Sequence, residues 1–142
     1  VISKYETDIS QNENIYIGPK DNGFYLCGVY DRFGNRYGSY KPDINKALEN
    51  TNTHPTVLLA HQPKFIEEIE NTVGIDLILC GHTHGGQIFP FNFLVKLQQP
   101  YVRGLNTHNE FTQVYVNKGT GFWGPPMRLG ASSEITFLKL SS

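Results

Sequence analysis

Several features that would settle a function outright are missing from this chain. No apolar run approaches the ~20 residues needed to cross a bilayer. No Gly-x-x-x-x-Gly-Lys is present to cradle nucleotide phosphates, and no nucleophile elbow occurs. Ser132-Ser133 has no base arranged near it, so serine catalysis is unsupported. Twelve lysines and arginines stand against 13 acidic residues, a formal net charge of -1, so no basic field invites nucleic acid. There are only two cysteines, Cys27 and Cys80, both in stretches that read as core strands; buried free thiols are expected rather than a disulfide or metal ligands. Internal repeats and low-complexity tracts are absent. The chain opens on Val1 with neither a charged leader nor an apolar signal region, so any targeting segment is expected to lie outside it, and no compartment is indicated.

What is present is enough for a core. With 39% hydrophobic residues in 142, the composition fits one compact α/β domain over 1–142. The organising stretch is 56–87. Thr56-Val57-Leu58-Leu59-Ala60 is a β-branched, apolar run that predicts a strand buried on both faces and stops at His61-Gln62-Pro63. Phe65, Ile66, Ile69 and Val73 recur at helical spacing, Pro63 suits a first turn, and Gly74 suits a C-cap, which predicts an amphipathic helix over 64–72. Asp76-Leu77-Ile78-Leu79-Cys80 predicts a second buried strand. The whole is a βαβ unit at 56–80, with a right-handed crossover expected.

In open parallel sheets, ligands bind outside the carboxyl ends of the strands, and His61 and His82 each fall just past such an end. Neighbouring strands lie about 4.8 Å apart, so imidazoles on adjacent strands reach one ion. His82 and His84, two residues apart, are separated by roughly 6.6 Å in extended backbone. That suits two ions about 3.5 to 4 Å apart better than a single ion. Gly81, Gly85 and Gly86 permit torsions and close approach that a Cβ would forbid. A lone histidine is usually a surface or satisfied core residue; three at the ends of two parallel strands, two of them framed by glycines, point to metal.

The rest of the chain is read around this unit. Residues 1–14 are polar and weakly patterned, a loose arm or an edge strand. The β-rich runs 14–17 and 24–30 flank turn formers at 18–23 and predict a hairpin whose second strand lies deeper. Asp31 follows that strand and either fixes its own turn or orients a ligand histidine from behind. Residues 43–50 predict a short helix with Asp43 as N-cap. His54 sits at the opposite end of the 56–60 strand from His61 and is excluded as a ligand. The apolar run 88–95 reads by preference as core packed beneath the site, and otherwise as an exposed lip touching lipid, a membrane or an apolar substrate tail. Residues 100–110 read as loop with a solvated His108, 111–117 as a strand in an antiparallel sheet, 118–130 as a glycine-rich loop and 134–140 as a terminal strand.

Leu58-Leu59-Ala60-His61-Gln62-Pro63 followed by Leu79-Cys80-Gly81-His82-Thr83-His84-Gly85-Gly86-Gln87 resembles the C-terminal motifs of calcineurin-like metallophosphoesterases, and the likeness continues through 114–121 and 126–140. The resemblance implies the C-terminal half of a four-layer α/β/β/α sandwich with a mixed sheet. It implies that His61 and His82 hold one metal and His84 its neighbour. It places the 118–130 loop near the metal mouth, making Arg128 a candidate for substrate phosphate, with a salt bridge to Glu134 as the plainer role. The family's Asp-x-His, Gly-Asp-x-x-Asp and Gly-Asn-His motifs are absent from this chain, so no catalytic residue is assigned within it.

The implied activity is hydrolysis of a phosphate mono- or diester assisted by two divalent ions, manganese, iron or zinc. Metal binding should weaken below the ordinary histidine pKa of about 6.5. The chain alone is expected to be inactive, with the activity belonging to a longer parent. Two other readings stand beside this one. One is a mononuclear hydrolase built on His61, His82 and His84. The other is a noncatalytic binding domain that associates with itself through uncovered sheet edges.

Overall fold

A computed structural model describes residues 11–51, 53–70 and 74–141. Its strands are β1 (Glu13–Ile17), β2 (Phe24–Gly28), β3 (Thr56–Leu59), β4 (Leu77–Cys80), β5 (Gly104–Thr107) and β6 (Gln113–Val116). They form one mixed sheet in the order β1-β2-β3-β4-β6-β5. The hairpin forms as its turn formers dictate, with Ile17 opposite Phe24. Tyr16 closes the turn by donating its hydroxyl to the carbonyls of Pro19 and Lys20, at 2.7 and 2.9 Å. β2, β3, β4 and β6 run parallel, and β5 returns antiparallel along β6.

The parallel centre is where the apolar runs are needed, because both faces of such strands are covered. Leu58, Ile78, Val114, Val116 and Cys27 are all within 2% of full burial. Phe65, Ile66 and Ile75 from the β3–β4 connection and Ala47 pack with them. Each large side chain removed from water here contributes about 1.5–3 kcal/mol. Burial pushes both the Cys27 and the Cys80 thiols up to about 12, and neither is in a disulfide, as expected of core cysteines.

Helix α1 (Ile44–Ala47) is a single turn whose N-cap Asp43 accepts from the Lys46 N–H at 3.0 Å. It is held beside the hairpin by Asn12. The Asn12 Oδ1 accepts from the Tyr30 and Asp43 N–H groups and its Nδ2 donates to the Lys41 carbonyl. Residues 1–10 of the polar arm lie outside the described part; Asn12 shows that its end is firmly anchored.

Five expectations need correction. The β3–β4 connection is a 3-10 helix over Pro63–Glu68, and Ile69 is already extended, so a regular helix over 64–72 does not form; residues 71–73 lie outside the described part. Residues 100–110 contain β5, which pairs with β6 although Gly104 and Asn106 read as turn formers. β6 is antiparallel to β5 but parallel to β4, so it does not sit in a purely antiparallel sheet.

The run 88–95 is not core. Only Ile88 is buried, whereas Phe89, Phe91, Phe93 and Leu94 are each at least half exposed. The segment continues into helix α2 (Asn92–Gln98), which none of the sequence signals above anticipates.

The terminal 134–140 stretch forms no strand: Ile135 and Phe137 are about nine-tenths exposed. It is tied to β6 by a polar knot. Tyr115 donates to Glu134 and meets the Thr136 hydroxyl, Asn117 donates to Glu134 and Thr136, and Lys118 pairs with Glu134 at 3.2 Å. The hydrogen bond from Tyr115, then those from Thr136 and Lys118, hold the Glu134 carboxyl below its ordinary 4.5. A carboxylate favoured in the folded state stabilises above its unfolded pKa and loses that contribution as pH falls through the folded one. The melting temperature of Glu134→Gln should therefore trail the wild type by a few degrees above about pH 5.5, with the gap closing below about pH 4.5. A pH-independent gap in thermal melts would show that the charge is immaterial.

Candidate metal centre

The register of the parallel strands brings three chain segments to one edge. Gly28 lies beside Leu59 and Leu59 beside Leu79, so β2, β3 and β4 end side by side and release Asp31, His61 and His82 into the same crevice. Backbone bonds extend the order past the strands: Ala60 N–H donates to the Leu79 carbonyl and Gly81 N–H to the His61 carbonyl, both at 3.1 Å. The His61 Nε2 and the His82 Nδ1 face each other at 3.3 Å, with ring planes crossed at 74°. Loss of hydration at His82, and then the neighbouring His61, lower its pKa, so the imidazole is held neutral, the form that carries a free lone pair.

His82 is presented by a loop in unusual torsions. His82, His84 and Gln87 have φ of 63, 50 and 40°, and Gly85 and Gly86 are also left-handed. Such torsions cost a non-glycine residue on the order of 1 kcal/mol each and persist only when the surroundings enforce them. Thr83 and Gln87 do the enforcing. The Thr83 hydroxyl donates to the Val102 carbonyl at 2.7 Å and accepts from Gly85 N–H. Gln87, fully buried, donates to the Trp123 carbonyl at 2.8 Å and accepts from the Trp123 N–H at 2.7 Å. Gly86 is required twice over, by its torsion and because a Cβ would stand 2.5 Å from that of Asn92. Gly81 is not: nothing approaches the position of its missing Cβ within 4 Å, contrary to the sequence expectation.

His84 has different partners from the first pair. Its Nδ1 lies 3.2 Å from the Gly121 carbonyl and 3.4 Å from the Arg128 guanidinium. Arg128 directs its donors to the carbonyls of His84, Lys118, Gly121 and Ala131, and so clamps the glycine-rich loop to the histidine loop. The salt bridge to Glu134 is not formed; Glu134 pairs with Lys118. His54 meets the Tyr16 and Tyr25 rings edge-on beside the hairpin turn, remote in the sheet from His61. His108 is not simply solvated but lies 3.1 Å from the Tyr101 hydroxyl.

Asp31 fixes its own turn, the plainer of the two roles weighed for it, and makes no hydrogen bond to a histidine. Its Oδ1 accepts from the Phe33 N–H at 2.7 Å, capping its own turn, and from the Gln62 amide at 2.9 Å. Its Oδ2 is buried without a hydrogen-bond partner, 4.0 Å from the His61 Nε2. Two open hollows flank the histidines. One, of about 400 Å³, is lined by His82, His84, Phe91, Leu94, Val95 and Trp123. The other, of about 490 Å³, includes Tyr30, Asp31, His61 and Gly81. Sequence reasoning missed Thr83, Gln87 and Gln62, whose long-range hydrogen bonds leave no periodic trace.

The donor set suits a divalent ion. Two nitrogens bonded to one ion at 2.0–2.1 Å in tetrahedral geometry stand about 3.3 Å apart, the separation of the two imidazole nitrogens here. Among the described residues, no three His, Cys, Asp or Glu side chains are already closed around one point.

Paired histidines at the carboxyl edge of a parallel sheet define an α/β protein with a candidate metal site. The chain is 51% identical over 130 residues to an uncharacterized metallophosphoesterase of Helicobacter pylori strain 26695, covering 91% of this chain and 34% of that protein. It is 46% identical over 130 residues to one of Campylobacter jejuni, covering 91% and 33%. It is 43% identical over 141 residues to a cattle transmembrane protein with a metallophosphoesterase domain, covering 92% and 32%. The chain belongs to the metallophosphoesterase family and spans about a third of the length of these relatives. No family model matches it, and no solved structure does.

Proposed function

We propose that this chain supplies the histidine side of a metal-dependent phosphoesterase centre that hydrolyses a phosphate mono- or diester. The observation that carries the reading is the convergence of His61 Nε2 and His82 Nδ1 at 3.3 Å. His61 and His82 would hold one divalent ion and His84 a second, with manganese, iron or zinc all suited to imidazole. Bound there, the ions supply activated water and neutralise charge on the phosphoryl group. The protein's own part is to present the imidazoles, fix the loop that carries two of them through Thr83 and Gln87, and hold the rim through Arg128. In this arrangement Arg128 acts on phosphate only through the loop it shapes.

The fold position suits the C-terminal half of a four-layer sandwich, so residues 1–142 form part of a larger domain and are inactive alone. Phe91, Leu94 and Trp123 beside His82 favour an ester whose alcohol portion is apolar, a lipid included. Among the described residues no helix is long and apolar enough to cross a membrane.

Substituting this chain for the matching residues of the Helicobacter relative should preserve manganese-dependent hydrolysis of bis-p-nitrophenyl phosphate, and the isolated chain should give none. A folded chimera without turnover, beside an active parent, would sink the proposal. Turnover by the isolated chain that His82→Ala abolishes would favour the mononuclear reading.

A further inference from the structure

Asp31 meets the histidine pair from an unexpected side. A carboxylate that merely orients a metal-binding histidine takes the N–H of the ring nitrogen that does not bind the ion. Here Asp31 Oδ2 lies near His61 Nε2, and it is this same nitrogen that faces His82 Nδ1. The His61 Nε2 is thus the atom that both the His82 Nδ1, at 3.3 Å, and the Asp31 Oδ2, at 4.0 Å, approach.

The remainder of the carboxylate is arranged to leave that oxygen free. Oδ1 is occupied by the Phe33 N–H and the Gln62 amide, which fix the plane of the group, while Oδ2 is shielded from water and accepts nothing. A buried carboxylate oxygen with no donor is an unfavourable arrangement unless a cation meets it. The 4.0 Å gap exceeds the roughly 3 Å between neighbouring ligand atoms on one ion. His61 is more than half exposed, at 57%, so its ring has room to turn by the difference.

We infer that Asp31 is itself a ligand of the ion held by His61 and His82, completing a two-histidine, one-carboxylate set, with Gln62 as the positioning residue that aims it. The inference rests on the metal-site reading above. A carboxylate adds charge opposite the ion, which two neutral imidazoles do not, and favours manganese, iron or zinc over a softer ion such as copper(I).

Cobalt(II) and manganese(II) titrations of the full 142-residue chain, with visible spectra of the cobalt form, test it. Asp31→Asn should weaken binding of both ions by on the order of 100-fold and shift the cobalt bands, because a donor atom has changed. Gln62→Ala should weaken binding by only about tenfold and leave the band positions in place. The metal-free Asp31→Asn protein should melt no lower than the wild type, since the amide can keep the turn and no longer buries an unpaired charge. If His61→Ala abolishes binding while Asp31→Asn changes neither affinity nor spectrum, the assignment of Asp31 is overturned and the histidine site stands. If the wild type binds no better than His61→Ala, the metal-site reading itself falls.

Discussion

His82→Ala should lower the affinity of the first divalent ion by on the order of 100-fold or more, His61→Ala should do the same, and His84→Ala should leave that ion bound. The asymmetry follows from placement. His61 and His82 share one space at 3.3 Å, whereas the His84 ring is engaged with the Gly121 carbonyl and the edge of Arg128. Alanine at position 82 must also adopt a φ of 63°. His82→Gly accepts that torsion freely and serves as the control that separates loss of the imidazole from loop strain. Calorimetric titration with manganese reads the result. Equal losses from all three single variants would mean that the three histidines grip one ion, and the division of labour proposed here would be wrong.

Gln87→Ala should destabilise the fold by about 2–4 kcal/mol. The residue is fully buried and answers both the N–H and the carbonyl of Trp123. Removing its amide leaves those groups unpaired, opens a void, and frees the loop that carries His82 and His84. The chain has a single tryptophan, so its fluorescence reports on this contact directly. A red-shifted emission in the native protein together with a lower urea midpoint is the expected pair of results. An unchanged midpoint would mean that the left-handed loop holds its shape without Gln87.

The central strands and the first histidine pair were legible because they depend on local composition. Val57-Leu58-Leu59 and Leu77-Ile78-Leu79 are apolar without alternation, and that pattern suits strands covered on both faces. The histidines follow their ends directly, so the crevice could be inferred before any coordinates. Elements that depend on a partner were not legible. Gly-Leu-Asn-Thr at 104–107 becomes a strand because β6 offers it an open edge, while 134–140 alternates well and has no ladder to join. Pro90 drew attention to broken alternation in 88–95, although Phe91, Leu94 and Val95 at helical spacing carried the signal for α2, and these residues line the hollow beside His82. The carboxylate of Asp31 was noticed, but the direction of its free oxygen is a matter of tertiary placement that no spacing rule encodes.

The histidine loop owes its shape to the protein beneath it. Thr83 ties it to Val102, Gln87 to Trp123, and Gly86 settles against Asn92. An ion arriving at the proposed centre would therefore meet a histidine loop that is already ordered and would not have to recruit it from a fluctuating chain. Its binding energy would not be consumed in folding, as it is in small zinc-nucleated domains, and would go instead into affinity and charge. Chelation would consequently empty the centre without dissolving the architecture around it, leaving a scaffold ready to be reloaded.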